Sequence, residues 1–157
     1  MKVTATPLFP ACIFEFDCEE DRLGLQSRFW DDQWLREAGV RFDVVQINTS
    51  WTEKAGTIRG MHFQRAPFRE PKVVRCLKGA IQETVVDLRQ DSPTYLQWFS
   101  FELTQSCARS MYVPPGFAQG FQSLVDDVLV QYFMGEYYNP SVYDGFCFDD
   151  PDVNIAW

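Results

Sequence analysis

The sequence predicts an all-β domain of two packed antiparallel sheets with one short helix, and three observations predict it. Turn signals recur at short intervals: Gly56, Gly60, Pro67, Pro71, Lys78-Gly79, the 90–93 cluster, Pro114-Pro115-Gly116, Gly120, Asp126-Asp127, Gly135 and Asn139-Pro140. The runs between them are short and rich in β-branched and aromatic residues, which fit a pleated, half-buried surface. With 14 Phe, 6 Tyr and 5 Trp in 157 residues, the chain has the apolar bulk to fill the core of one domain, 1–157.

The elements follow in order. Asp31–Ala38 is the one helical segment: Asp31 is suited to accept from the first free backbone N–H groups, Trp34 and Leu35 form an apolar stripe, and Gly39 ends it. Residues 57–64 (T-I-R-G-M-H-F-Q) read as a strand. Regular alternation there turns Ile58, Gly60, His62 and Gln64 one way and Arg59, Met61 and Phe63 the other. Val73–Leu77 and Ile81–Leu88 flank Lys78-Gly79-Ala80 as an expected hairpin, with Gly79 supplying the positive φ of the turn. Leu96–Leu103 and Val128–Met134 are further strands, and Leu96–Leu103 carries large apolar residues on both faces, so both faces are expected to be covered. Eight or more antiparallel strands in a short domain must protect their edges, and a double-sheet jelly roll does so. Up-and-down barrels and immunoglobulin-like sandwiches satisfy the same periodicity, although the Cys–Trp–Cys spacing of a true immunoglobulin domain is missing.

Acidic residues outnumber basic ones 22 to 14, a formal charge of −8. That balance lacks the cationic stripe that tracks phosphates, so no nucleic-acid partner is expected. An anionic ligand must then be held by a few local Arg and Lys residues against the overall field. The five cysteines are odd in number and contain no C-x-x-C pair, which argues against a disulfide framework or zinc knuckle and for a reducing, cytoplasmic location. The N-terminus lacks the apolar run of a signal peptide, and no stretch approaches the roughly 20 apolar residues of a membrane span.

The chain has 1 His, His62. A lone histidine on a strand is most often structural, donating to a neighbouring carbonyl. Lys72 just before a strand reads by itself as a solvated charge, and Tyr132 in mid-strand as an amphipathic core tyrosine.

Their surroundings change that reading. The segments I-R-G-M-H-F-Q (58–64), K-V-V-R-C (72–76), V-V-D-L-R-Q-D-S-P-T-Y (85–95), V-P-P-G-F-A-Q-G-F (113–121), Y-Y-N-P (137–140) and D-D-P (149–151) together resemble the dTDP-4-dehydrorhamnose 3,5-epimerase family. The resemblance runs from about Val44 to Trp157 in order, and more loosely before that. It implies a cupin-like jelly roll and a homodimer. It also implies a nucleotide-diphosphate sugar as substrate, and epimerisation of a 4-keto-6-deoxy sugar without cofactor or metal. His62 falls on the family's catalytic base, Tyr132 on its acid, and Arg59 and Lys72 on cations that contact substrate and its developing negative charge. Arg22, Gln46, Asn48, Gln119 and Tyr138 fall on substrate contacts. The roles make chemical sense, since inverting a carbon beside a ketone takes a base, a fixed positive charge for the enolate and a donor on the opposite face. The cations are expected to hold His62 neutral and to make Tyr132 a better acid. One histidine in total also speaks against a metal-binding cupin site, which resembles its relatives in using several.

Departures from the family pattern point to a variant that inverts C3 or C5 alone. Gln119 stands where the family usually has His. Trp157 ends the chain before the S-x-K-D-like segment whose Asp pairs with the catalytic histidine, so another carboxylate such as Glu83 is a candidate to orient His62. The phosphate-binding region reads E-D-R-L-G (20–24) rather than D-E-R-G. Two alternatives stay open: a non-catalytic cupin that binds a nucleotide sugar, and a 3,4-ketoisomerase. The second is disfavoured because those relatives carry H-x-H where this chain has His62-Phe63-Gln64.

Overall fold

The computed structural model describes residues 1–41 and 43–157, with all side chains except those of residues 20 and 25. In chain order the elements are β1 (Lys2–Ala5), β2 (Cys12–Glu15), β3 (Cys18–Asp21), β4 (Gly24–Ser27), α1 (Asp32–Glu37), β5 (Gln46–Thr52), β6 (Ile58–Gln64), β7 (Lys72–Lys78), β8 (Ala80–Asp87), β9 (Trp98–Thr104), β10 (Arg109–Val113), β11 (Phe117–Ser123), β12 (Val128–Met134) and β13 (Tyr143–Gly145). One antiparallel sheet has the order β1-β2-β10-β7-β12-β5 and the other β13-β6-β11-β8-β9, while β3 and β4 form a separate ribbon. From β5 onward the chain changes sheet at almost every connection, as in a jelly roll.

This topology overturns the expected hairpin across Lys78-Gly79-Ala80. β7 pairs with β10 and β12, β8 with β9 and β11, and Gly79 turns the corner between the sheets. Gly79 has φ of 82°, and a Cβ there would lie 2.8 Å from Val128 Cγ2. A glycine signals a reversal of direction, but the partner of each strand is chosen by residues far away in sequence. The expected strand at Leu96 begins two residues later, because Leu96 has φ of 62° and its N–H bonds Asp87 O at 2.8 Å to close the β8–β9 loop. The helix matches expectation: Asp31 Oδ1 accepts from Trp34 N at 3.1 Å.

Three apolar clusters hold the layers together. Ile13, Val74, Ile81, Val85, Phe121 and Val130 pack between the sheets. Phe14, Phe16, Val73 and Tyr112 on the outer side of the first sheet are covered by Leu35 of α1 and by Phe29, Trp30 and Trp34. Phe14 and Trp34 meet edge to face at 5.8 Å and 83°, a geometry favoured by the ring quadrupoles. On the outer side of the second sheet, Met61, Val86, Ala118 and Trp98 lie under Val153, Ile155 and Trp157. Both apolar faces of β9 are therefore packed against other parts of the same chain, although Trp98, Phe99 and Phe101 stay half-buried.

A bulge between β6 and β11 decides where the charged residues point. Gln119 lies opposite His62 and Phe121 opposite Arg59, so two residues of β11 span three of β6. The extra residue reverses the side-chain parity, which corrects the regular alternation expected for 57–64 and lets Arg59 share the interior side with His62. Glycines make the bulge sterically feasible. Gly60 has φ of 133°, and a Cβ on it would sit 2.5 Å from Gly120 Cα.

Candidate active site

A cavity of about 250 Å3 opens between the sheets, and its walls bring together Gln46, Asn48, His62, Lys72, Tyr132 and Tyr138. Six of the nine sequence-predicted site residues thus meet at one place. Glu70, Met134 and Tyr143 complete much of the wall. β6 supplies His62, β7 supplies Lys72, and the neighbouring β12 supplies Tyr132, whose register partners are Val74 on β7 and Asn48 on β5.

His62 lies beside Tyr143, rings stacked at 5.5 Å and 24°, and Tyr138 meets Tyr143 edge to face at 5.2 Å. Among the described residues no group hydrogen-bonds the imidazole. Burial depresses its pKa below the ordinary value near 6.5, the Lys72 ammonium depresses it further, and Glu70 opposes both. The ring is therefore neutral at pH 7. Arg59 contributes nothing resolved to this shift, so the expected help comes from Lys72 alone.

Lys72 is buried and paired with buried Glu70, Nζ to Oε1 2.6 Å. Such a pair returns little net stability after desolvation, but it holds the ammonium in one position beside the cavity. Glu70 was missed from sequence, although its place two residues before Lys72 across Pro71 suits same-side placement in an extended segment.

Tyr132 corrects a second expectation. Its phenol is pushed far above the usual value near 10, first by burial and then by Glu83, with Arg59 only partly countering. It is a firmly protonated donor rather than a strengthened acid, because the low-dielectric interior penalises tyrosinate more than one distant guanidinium relieves it. Arg59 reaches across to β5 instead of lining the cavity, donating from Nε to Thr52 Oγ1 at 2.9 Å and from an Nη to Trp51 O at 3.1 Å.

Glu83 is completely buried, and neither carboxylate oxygen has a hydrogen-bond partner; the Gln119 Nε2, also buried, has none either. Alternation places both on the inner faces of adjacent strands, β8 and β11. Burial raises the Glu83 pKa to about 8, with Gln119 and then Lys72 opposing, although no bond of normal geometry joins Glu83 to Gln119. Glu83 is not the carboxylate that acts on His62; that is Glu70. Its signal in the sequence is an acid at the centre of an otherwise apolar period-2 face, Ile81-Glu83-Val85. Gln119 stands behind the cavity rather than in its wall. Arg22 sits exposed at the tip of the β3–β4 ribbon and is not part of the cavity of its own chain.

An antiparallel jelly roll holding a neutral imidazole, a protonated phenol and a fixed ammonium around one cavity belongs to the class of cupin-like proteins equipped for proton transfer. A family model described as dTDP-4-dehydrorhamnose 3,5-epimerase matches residues 5–157. The chain is 39% identical over 137 residues to the dTDP-4-dehydrorhamnose 3,5-epimerase of Sinorhizobium fredii, covering 87% of this chain and 70% of that one. The crystal structure of the Bacillus anthracis dTDP-4-dehydrorhamnose 3,5-epimerase with TDP and PPi bound superimposes with a TM-score of 0.97 at 37% identity, covering 99% and 89% of the two chains. A 3'-monoepimerase from Streptomyces bikiniensis in complex with dTDP-quinovose gives a TM-score of 0.88 at 30% identity, covering 94% and 74%. The chain belongs to the dTDP-4-dehydrorhamnose 3,5-epimerase family, whose members are isomerases.

Proposed function

We propose that the protein inverts C3, C5 or both of a nucleotide-linked 4-keto-6-deoxy sugar, of the dTDP-4-keto-6-deoxyglucose type, by proton abstraction and return through an enolate. The observation that carries this reading is the meeting of a neutral His62, a protonated Tyr132 and the Lys72 ammonium in one cavity. His62 removes the proton beside the ketone and the electron pair moves onto the carbonyl oxygen, where Lys72 stabilises the negative charge and Arg59, tied to β5 outside the cavity wall, acts only at longer range. Tyr132 then delivers its proton to the opposite face, inverting the carbon. Solvent exchange returns the imidazolium and the phenolate to their starting states, so the step is redox-neutral and uses no cofactor.

Gln46, Asn48 and Tyr138, which line the cavity, are assigned to substrate contacts, while Gln119 as a contact and Arg22 as the diphosphate ligand lie outside its wall and are assigned on the motif resemblance alone. Gln119 keeps a hydrogen-bonding group but cannot carry charge, which supports inversion at one carbon rather than two. The test is proton NMR of dTDP-4-keto-6-deoxyglucose in D2O with the protein. Loss of the C3 or the C5 proton signal is expected. Binding without exchange at either carbon would mean a non-catalytic cupin, a carbonyl shifted to C3 would mean a ketoisomerase, and inversion at both carbons would refute the single-carbon assignment.

The protein acts as one domain, and we place it in the cytoplasm, which suits its five free thiols. The homodimer forms through β5, which ends the six-stranded sheet with one edge open and Ile47 and Trp51 more than half exposed. A second copy would satisfy that edge. Sedimentation equilibrium should give twice the chain mass; a monomer mass at every concentration would contradict the dimer.

A further inference from the structure

The segment between β12 and β13 passes from one sheet to the other beside the cavity and carries Tyr138. Backbone bonds from Gly135 N to Pro71 O at 2.9 Å and from Arg65 N to Val142 O at 3.0 Å fix its ends, and a buried side chain anchors its middle. Gln64, the last residue of β6, is 3% exposed and two residues from His62 on the same strand. Its Nε2 donates to Tyr137 O at 3.2 Å and to Phe68 O at 3.2 Å, and its Oε1 accepts from Asn139 N at 2.7 Å. A single amide therefore grips the backbone on both sides of Tyr138. It also fastens the 65–71 loop, which carries Glu70, the partner of Lys72. The opposite side of Tyr138 is held more weakly, by a 3.3 Å bond from its N–H to Gln46 Oε1, and Gln46 is itself tied to Asn48 at 3.0 Å.

The arrangement is asymmetric in a useful way. Gln64 is buried, so its three bonds are not in competition with water and losing them would strand two carbonyls and an N–H. Gln46 is partly exposed, so a ligand can take over its amide at small cost. We infer that Gln64 is a positioning residue for the nucleotide-sugar site: its amide clamps residues 137–139 to the end of β6 and thereby fixes the Tyr138–Tyr143 aromatic wall over the His62 imidazole. Gln64 touches none of the reacting atoms; it sets how well the wall fits a bound sugar nucleotide. The inference rests on the proposed epimerase reading for its ligand but not for its mechanical part.

Gln64→Met removes all three bonds while keeping the volume, and Gln64→Asn keeps an amide that is one methylene too short. Hydrogen–deuterium exchange of the full chain, read by mass spectrometry, is expected to speed up at least tenfold in residues 135–142 of both variants, with β8 and β11 unchanged. With dTDP-4-keto-6-deoxyglucose, KM should rise about tenfold while kcat stays within about threefold, because His62, Lys72 and Tyr132 are untouched. Adding Gln64→Met to Tyr138→Ala should cost little further, since the residue being positioned is already gone. Unchanged exchange in 135–142, or uniform acceleration across the protein, would overturn the clamp whether or not the protein turns over substrate. Additive losses with Tyr138→Ala would overturn its link to the aromatic wall.

Discussion

Replacing His62 with Asn is expected to lower the rate of deuterium uptake into the sugar by about 10²–10⁴-fold, the range over which a positioned general base contributes. The fold should persist, because among the described residues nothing hydrogen-bonds the His62 ring and the loss is confined to its stacking on Tyr143. Tyr132→Phe should separate the two halves of the reaction. Abstraction and return on the His62 side continue, so exchange survives, while the inverted product falls by a similar factor because the opposite face has lost its donor. The pH profile of kcat/KM adds a sign. The His62 pKa lies below 6.5, through burial and Lys72, so the acidic limb should have its midpoint below that of free imidazole. An acidic midpoint above 6.5, or a Tyr132→Phe variant that still inverts the carbon at full rate, would remove these residues from their assigned roles.

Glu83→Gln is expected to stabilise the protein at pH 8 and to leave it nearly unchanged near pH 4.5. The buried carboxyl titrates at about 8 instead of 4.5, raised by burial. Below the lower value both folded and unfolded chains hold the proton. Between the two, the unfolded chain releases it and the folded chain does not, so stability falls as pH rises through that window and levels off above it. The slope for one proton is about 1.4 kcal/mol per pH unit, giving a total on the order of several kcal/mol. Glutamine keeps the shape and cannot ionise, so the difference between the two urea-denaturation series isolates this one group. Parallel stability curves for the two proteins from pH 5 to 8 would show that Glu83 is not held protonated. The same substitution tests the surroundings of Tyr132, whose phenol Glu83 helps to hold in its protonated form.

Much of the site was legible because its residues lie on strands whose local pattern is strong. Val128–Met134 matches β12 residue for residue, β7 and β8 differ from expectation by one residue at either end, and the Asp31 cap and short helix match as well. His62, Lys72, Tyr132, Gln46, Asn48 and Tyr138 share one cavity, as the motif resemblance implies. Local chemistry was enough for the strands and the helix because period-2 alternation and capping act over a few residues, whereas the site residues stood out only through the motif resemblance, since His62, Lys72 and Tyr132 each read as structural by themselves.

What only the tertiary structure decided depends on which strands became neighbours. The Lys78-Gly79-Ala80 reversal looks like a hairpin turn from its own residues, yet it joins two sheets, because β12 and β10 outcompete β8 as partners of β7. The apolar residues on both faces of β9 ask for cover without saying from where, and it is Val153, Ile155 and Trp157 of the same chain that pack on the outer face of that sheet. Arg59 looks turned away from His62, yet one extra residue opposite Gln119–Phe121 reverses the parity. The electrostatics follow the same rule. The resemblance made Tyr132 a tyrosine beside cations and Glu83 a candidate to orient His62; burial between two sheets made both hold their protons, because the cost of a charge is set by the whole volume around it and not by its neighbours in sequence. Sequence determined which groups the site contains, and packing determined their charge and the direction in which each one points.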